Sequence, residues 1–350
     1  MKILITNSLL QGLGGAQIFV RDLGRALERM GHEVMAFSSY PGRADKLEAL
    51  GMIRTTDDPT ACGFQPDIIH AQHHLDAMAA ILALPGVPAL YHCHGAVWRE
   101  CVPKHPRILH YLAMSRTLRE RIVIESGIPP ENISLWLNTA DLSRFSTVRT
   151  PPERPSRALL YNKIHRPDSP TVLAIREAAD AMGLQFDCIG QKFGNEIPHP
   201  ETVLPQYDIV FASGKSAVDA LACGCALIVL GRTGCGRMVL PENFDHFRSV
   251  NFSIPVNSPA PDARKIQAEL ANYSASACAQ VSARLRSEAD HQRSVELLTA
   301  LYQRIIEQFR HARQDPAAEA SAALAYLRKI VPLVRGTELA PADQILATTR

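Results

Sequence analysis

At 350 residues the chain is long enough for two ordinary domains, each with its own core. It is 46% hydrophobic and 21% charged, the balance of a globular protein rather than a disordered or membrane-embedded one. With 37 basic and 35 acidic residues the formal net charge is +2, so bulk electrostatics gives no drive toward nucleic acid.

The apolar run behind Lys2 is short, has no small-residue cleavage pattern and opens into a glycine turn. It predicts a first strand, Lys2 to Thr6, rather than a secretory signal, and a cytoplasmic chain follows. No stretch approaches the roughly 20 apolar residues of a membrane span. In that setting the eight cysteines are expected as reduced thiols, and the spacing of Cys223, Cys225 and Cys235 favours small buried residues over zinc.

A helix is predicted from about Ala16 to Met30, where Ile18, Phe19, Leu23, Ala26, Leu27 and Met30 share one face. Gly31 ends it. Strands follow at His32 to Ser38, Asp67 to Ala71 and Ala89 to His92, with helical segments between, and another at His110 to Met114. Ser115 caps a helix to Ser126, and Ile133 to Leu137 is a further strand. The Pro-, Arg-, Thr- and Ser-rich stretch 146–157 has no periodicity and is expected to be a linker between domains at 1–145 and 158–300.

The second half repeats the grammar: strand Ala158 to Tyr161, helix Pro170 to Met182, strand Gln185 to Ile189, strand Tyr207 to Phe211, helix Ser216 to Cys223 and strand Ala226 to Leu230. From about Ala260 onward the pattern is helical, with an apolar stripe over Leu297 to Phe309, a break at Asp315-Pro316 and a frayed end; 301–350 are C-terminal helices and tail. Strand, helix, strand in this order predicts α/β architecture with parallel sheets.

In open parallel sheets ligands bind outside the carboxyl ends of the strands, so residues just after strands carry the chemistry. Gly14 and Gly15 open a helix after the first strand, where bare amides suit phosphate or sugar oxygens; a plain tight turn is the alternative. The dinucleotide spacing G-x-G-x-x-G is absent and Phe37-Ser38-Ser39 offers no ribose acid, which excludes a dehydrogenase. Gly214, Lys215 and Ser216 lack P-loop spacing, yet form either a pyrophosphate cradle or a turn with a solvated lysine. His70, His73 and His74 straddle a strand end without a carboxylate partner, which disfavours a metal site.

GGAQIFVRDLGRALERMGHEV, with Asp67-Ile-Ile-His-Ala, His92-Cys-His94-Gly95 and the run from Ser115 through Asn138-Thr-Ala-Asp141 to Phe145, resembles the retaining glycosyltransferases of the family-4 type. The resemblance spans about 1–300. It implies two Rossmann-like domains facing across a cleft (GT-B) with C-terminal helices, no cofactor, a nucleotide-sugar as co-substrate, and a glycan, lipid-linked or small-molecule acceptor. Uridine is the family's commonest base.

By the same resemblance Asp219, in Asp219-Ala-Leu-Ala-Cys-Gly224, falls on the second acid of the E-x7-E signature and would accept hydrogen bonds from the donor ribose. The first acid falls on Phe211, a departure that keeps open a weakly catalytic GT-B protein. A nucleotide-sugar 2-epimerase is the other alternative. His94 and Lys163 are the expected catalytic residues; Arg166, Gly190, Arg232 and Gly234 join the donor set. Trp98, Arg99 and Asn138 are expected at the acceptor, where the basic stretch to Lys104, His105 and Arg107 would allow peripheral membrane contact or be a solvated loop.

Overall fold

The computed structural model describes residues 1–335 apart from 13, 256–257 and 259–260. Leu13 of the first glycine loop and the tail beyond 335 therefore lie outside the described residues. In chain order the elements are β1 (Lys2–Thr6), α1 (Gly15–Arg29), β2 (Glu33–Phe37), α2 (Ala44–Ala49), β3 (Thr55–Thr56), β4 (Ile68–Ala71), α3 (His74–Ala83), β5 (Ala89–Cys93), β6 (Ile108–Ala113), α4 (Arg116–Ser126) and β7 (Ile133–Leu135). There follow β8 (Arg157–Tyr161), α5 (Pro170–Ala181), β9 (Gln185–Ile189), α6 (Pro200–Val203), β10 (Ile209–Ala212), α7 (Gly214–Ala222), β11 (Ala226–Leu230) and β12 (Cys235–Met238). The chain ends in α8 (Phe244–Ser249), α9 (Ala263–Leu270), α10 (Ala275–Glu288), α11 (His291–His311) and α12 (Pro316–Arg335). Among the described residues no helix is long and apolar enough to cross a membrane.

The chain divides into two compact units. The first holds 1–112, 118–134 and 299 onward; the second holds 113–117 and 135–298. The first unit is built on a seven-stranded sheet in the order β3-β2-β1-β4-β5-β6-β7, parallel across β3-β2-β1-β4-β5. The chain leaves β1 toward β2 and β3, then returns to the other side of β1 as β4. The switch point of this doubly wound sheet thus lies between β1 and β4, and the crevice there is where such sheets bind ligands.

The second unit has the order β12-β11-β10-β8-β9, with β9, β8, β10 and β11 parallel and β12 antiparallel. Its switch point lies between β8 and β10. The strands alternate faces with period two: Leu159, Val210, Ala212, Leu227 and Val229 pack toward α7 and α10, while Leu160, Ile209, Phe211 and Ile228 pack toward α5 and α9. Phe211 is fully buried mid-strand, its ring 6.4 Å from that of Phe186.

Local chemistry explains the helix boundaries. The Ser169 hydroxyl accepts from Val172 N, with Pro170 in the first turn of α5. Asp262 and Ser274 cap α9 and α10 in the same way, and the Asp315 carboxylate accepts from Ala318 N at 3.0 Å to start α12.

Two expectations are corrected. The stretch 146–157 is not an interdomain linker; it belongs to the second unit, which begins again at Leu135. The reason is the Asp208 carboxylate, which takes the Arg149 guanidinium, the amide of Ser156 at 2.6 Å and that of Arg157 at 2.8 Å. Leu297 is 65% exposed, so the buried stripe of α11 is Val295, Leu298, Tyr302 and Ile305. The helices from 299 onward pack with the first unit. Tyr302 Oη lies in hydrogen-bond contact with His70 Nδ1, and Arg107 Nε donates to Glu319 at 2.9 Å.

Candidate active site

In the second unit the carboxyl edge of the sheet is assembled from four connections. After β10 a single residue, Ser213, leads into α7, whose first turn carries no acidic side chain. Gly214 has φ of +59°, a conformation that strains any side chain, and its amide donates to Phe252 O at 3.2 Å. Phe252 and Asn251 are themselves held at φ of +51° and +58° by the end of α8, where Phe252 N donates to Phe247 O at 2.7 Å. Two non-glycine residues in that region mark stored strain, and here it fixes the peptide that starts α7.

Lys215 and Asp219, one helical turn apart, form an ion pair, with side chains 29% and 7% exposed. The Lys215 ammonium also sits 5.3 Å from the centre of the Phe145 ring. Ser216 is half-buried beside them. The Asn138 amide donates to Asn251 Oδ1 at 3.0 Å, and the Asn138 carbonyl accepts from the buried Arg248 at 2.8 Å. Burial lowers the Arg248 guanidinium to about 10. Asn138 Nδ2 lies 3.8 Å from where a Cβ on Gly214 would stand. Asn138, expected at the acceptor, lies in the second unit, beside the start of α7.

The eighth residue before Asp219 is Phe211, inside β10, and only Ser213 separates that strand from α7. Neither Ser213 nor the first turn of α7 carries a carboxylate ahead of Asp219.

After β8, Asn162 Oδ1 accepts from Ile164 N at 2.6 Å and folds the turn that exposes Lys163 and Arg166. Gly190, after β9, has φ of +154°, and a Cβ there would stand 1.9 Å from Asn162 O. After β11 the chain makes a tight turn, Gly231 N donating to Gly234 O at 2.8 Å, and returns as β12. The segment that carries Arg232 and Gly234 is thus a β-hairpin, with Arg232 exposed at its tip and Gly236 within its second strand. His165, buried and unremarked in the sequence, lies with Nε2 2.9 Å from Gly231 O and joins this hairpin to the Lys163 turn.

In the first unit Gly14 is the residue before α1 and Gly15 its first residue, without a side-chain cap. A Cβ on Gly15 would meet nothing within 4 Å. His94 follows β5. Its ring stacks on His92 at 4.2 Å and meets Phe19 edge-on at 4.7 Å, while its amide donates to Glu100 Oε2 at 2.9 Å. His94 Nε2 is buried without a hydrogen-bond partner among the described residues. Burial lowers its imidazole to about 4, so it is neutral near pH 7.

Glu100 was not foreseen. It is buried, with Oε1 3.2 Å from His73 Nε2. Burial pushes its carboxyl up, but the bond to His73 and the nearby His94 and His73 together hold it below the ordinary glutamate value. His73 Nδ1 in turn accepts from Ser8 N at 3.0 Å, and His73 is strained at φ of +51°. The only sequence trace of this linkage is the position of these residues just beyond β1, β4 and β5.

The three histidines after β4 go to separate partners: His70 to Tyr302, His73 to Ser8 and Glu100, and His74 Nδ1 to Tyr326 Oη at 2.7 Å. No group of three or more His, Cys, Asp or Glu able to hold a metal occurs among the described residues. Trp98 is 45% exposed, its ring 4.7 Å from that of His74, and Arg99 is exposed beside it. The basic stretch that follows is corrected. Arg107 is buried against Glu319, and burial holds His105 down to about 4, so neither contributes to a cationic surface.

Residues 60–144 match the family model described as Glycosyltransferase Family 4. Solved structures extend the likeness over the chain. A glycosyltransferase from Rickettsia africae is 13% identical with a TM-score of 0.63, covering 87% of this chain and 98% of its own. Anabaena HepE in complex with UDP and glucose is 13% identical with a TM-score of 0.59, covering 89% and 100%. The apo lipopolysaccharide outer core galactosyltransferase WaaB is also 13% identical, with a TM-score of 0.55, covering 87% and 100%. No curated protein matches the sequence. The fold is GT-B.

Proposed function

We propose that this chain is a glycosyltransferase that moves a sugar, with retention, from a nucleotide-sugar to a glycan, lipid-linked or small-molecule hydroxyl. The observation that carries the reading is the buried Asp219 carboxylate one turn into α7, beside the β8–β10 switch point of a GT-B unit. A carboxylate only accepts hydrogen bonds, which suits the two hydroxyls of a ribose. Lys163, Lys215, Arg232 and the first amides of α7 would stabilise the departing diphosphate. Uridine is the favoured base, since HepE, of the same fold, is in complex with UDP and glucose.

In the transfer, the bond between the sugar's anomeric carbon and the diphosphate oxygen breaks, and one to the acceptor oxygen forms on the same face. The acceptor's proton passes to the departing diphosphate. His94, neutral and with Nε2 unpartnered among the described residues, would hydrogen-bond a sugar hydroxyl without adding charge. Trp98 and Arg99 remain the acceptor candidates, and peripheral membrane contact would come from that turn.

Thermal shift with a panel of nucleoside diphosphates and nucleotide-sugars tests the donor site. One diphosphate should stabilise the wild type and lose its effect in Asp219→Ala. Donor hydrolysis or transfer, with the anomeric configuration of the product read by NMR, then tests turnover and retention. Stabilisation without turnover would leave a non-catalytic nucleotide-sugar binder, the alternative that Phe211 in place of the first acid favours.

A further inference from the structure

Lys215 and Asp219, two residues given separate tasks in that reading, are bonded to each other. They lie one turn apart on α7 and so share a face of the helix. Asp219 is nearly buried and Lys215 mostly withdrawn from solvent, so theirs is not a freely hydrated surface pair. A nucleoside diphosphate carries a competitor for each partner: hydroxyl donors for the carboxylate and anionic oxygens for the ammonium.

We infer that this ion pair is a latch which opens fully only to a ligand that supplies both halves, and that it selects ribonucleoside diphosphates and their sugars over nucleosides and free pyrophosphate. The inference rests on the donor-site reading above. A nucleoside alone offers hydroxyls to Asp219 but strips Lys215 of its carboxylate. Pyrophosphate alone draws Lys215 away and leaves the Asp219 carboxylate without this counter-charge, the costly half of breaking a withdrawn pair. A ligand bearing both exchanges one charge pairing for another. Lys215 is thereby a specificity residue as well as a phosphate contact, and its neighbour Phe145 gives the ammonium a face to rest against.

Isothermal titration of the full chain with UDP, GDP, uridine, guanosine and pyrophosphate tests this, using wild type, Lys215→Met and Lys215→Arg. The expected signature is opposite in sign for two ligands. Lys215→Met should bind the diphosphate about tenfold or more weakly, yet bind the matching nucleoside several-fold more tightly, because Asp219 no longer has to be prised from its partner. Lys215→Arg keeps the pair and should keep the wild-type preference. If Lys215→Met binds the nucleoside no better than wild type while the diphosphate still binds wild type, the latch is overturned and the donor site stands. If wild type binds neither UDP nor GDP nor any other nucleoside diphosphate of the thermal-shift panel, both readings fall.

Discussion

Gly190 and Gly15 were both expected at the donor on sequence grounds, but the chain requires them for different reasons. At Gly190 the backbone sits at φ of +154° and a Cβ would stand 1.9 Å from the Asn162 carbonyl, which cannot yield without moving the turn that carries Lys163. Strain of this kind alone costs about 1–3 kcal/mol. Gly190→Ala should therefore lower the melting transition by roughly 5 °C or more and weaken diphosphate binding with it. Gly15 is open, and alanine is the better helix former, so Gly15→Ala should melt at or slightly above wild type. Differential scanning fluorimetry distinguishes the two; equal losses would contradict the assignment. The sequence named both glycines because each follows a strand, but it could not tell a close approach from an open helix start. It missed Glu100 and His165, and gave His73 no carboxylate partner, for a related reason. Their meaning lies in partners from other strands' loops, Ser8 for His73 and the Gly231 carbonyl for His165, and no local spacing announces such contacts.

Among the elements, α12 shows how one buried side chain can hold a helix in place. Arg107 donates to the carbonyls of Val87 at 3.2 Å and Leu84 at 2.6 Å, and also to that of Ile81, satisfying the end of α3 and the turn after it, while its Nε meets Glu319 of α12. Arg107→Ala would leave three carbonyls and a carboxylate without their donor, and breaking a buried pair of this kind costs about 3–5 kcal/mol. Glu319→Gln should cost far less, because the amide oxygen still accepts and Arg107 keeps its three carbonyls. Chemical denaturation of the two variants, with limited proteolysis at the α11–α12 break, checks the order; a larger effect from Glu319→Gln would contradict it. Most strands and helices were legible in the sequence because they are apolar runs of ordinary length between glycine or proline. The hairpin at β12 was not, since Gly234 and Gly236 look alike in sequence and only the Gly231–Gly234 turn separates them. The stretch 146–157 was misread because its order comes from Asp208, far along the chain, and not from any pattern of its own.

On the scale of the whole molecule, the first unit carries a group of buried histidines. His70, His74, His94 and His105 belong to the first unit, and burial lowers them to about 3, 4, 4 and 4, with His92 lowered well below its ordinary value as well. In the unfolded chain these imidazoles take a proton near pH 6.5, whereas in the folded first unit they resist it. The unfolded state therefore binds more protons below pH 6.5, and stability falls with falling pH until each folded value is reached, near pH 4 for most of them. Above pH 6.5 both states are neutral and the contribution is flat. Each depressed group shifts stability by about 1.4 kcal/mol per pKa unit at most, and all of them act in the same direction as the pH falls. Melting followed between pH 7.5 and 4.5 should resolve an acid-labile transition, and amide hydrogen exchange should place the early loss of protection in β4, β5 and α1 while β8, β10 and β11 remain protected. His92→Phe removes one titrating group from the stack on His94 and should flatten the acid limb of the first transition. If instead the second unit's strands lose protection first as the pH falls, acid lability does not originate in the buried histidines.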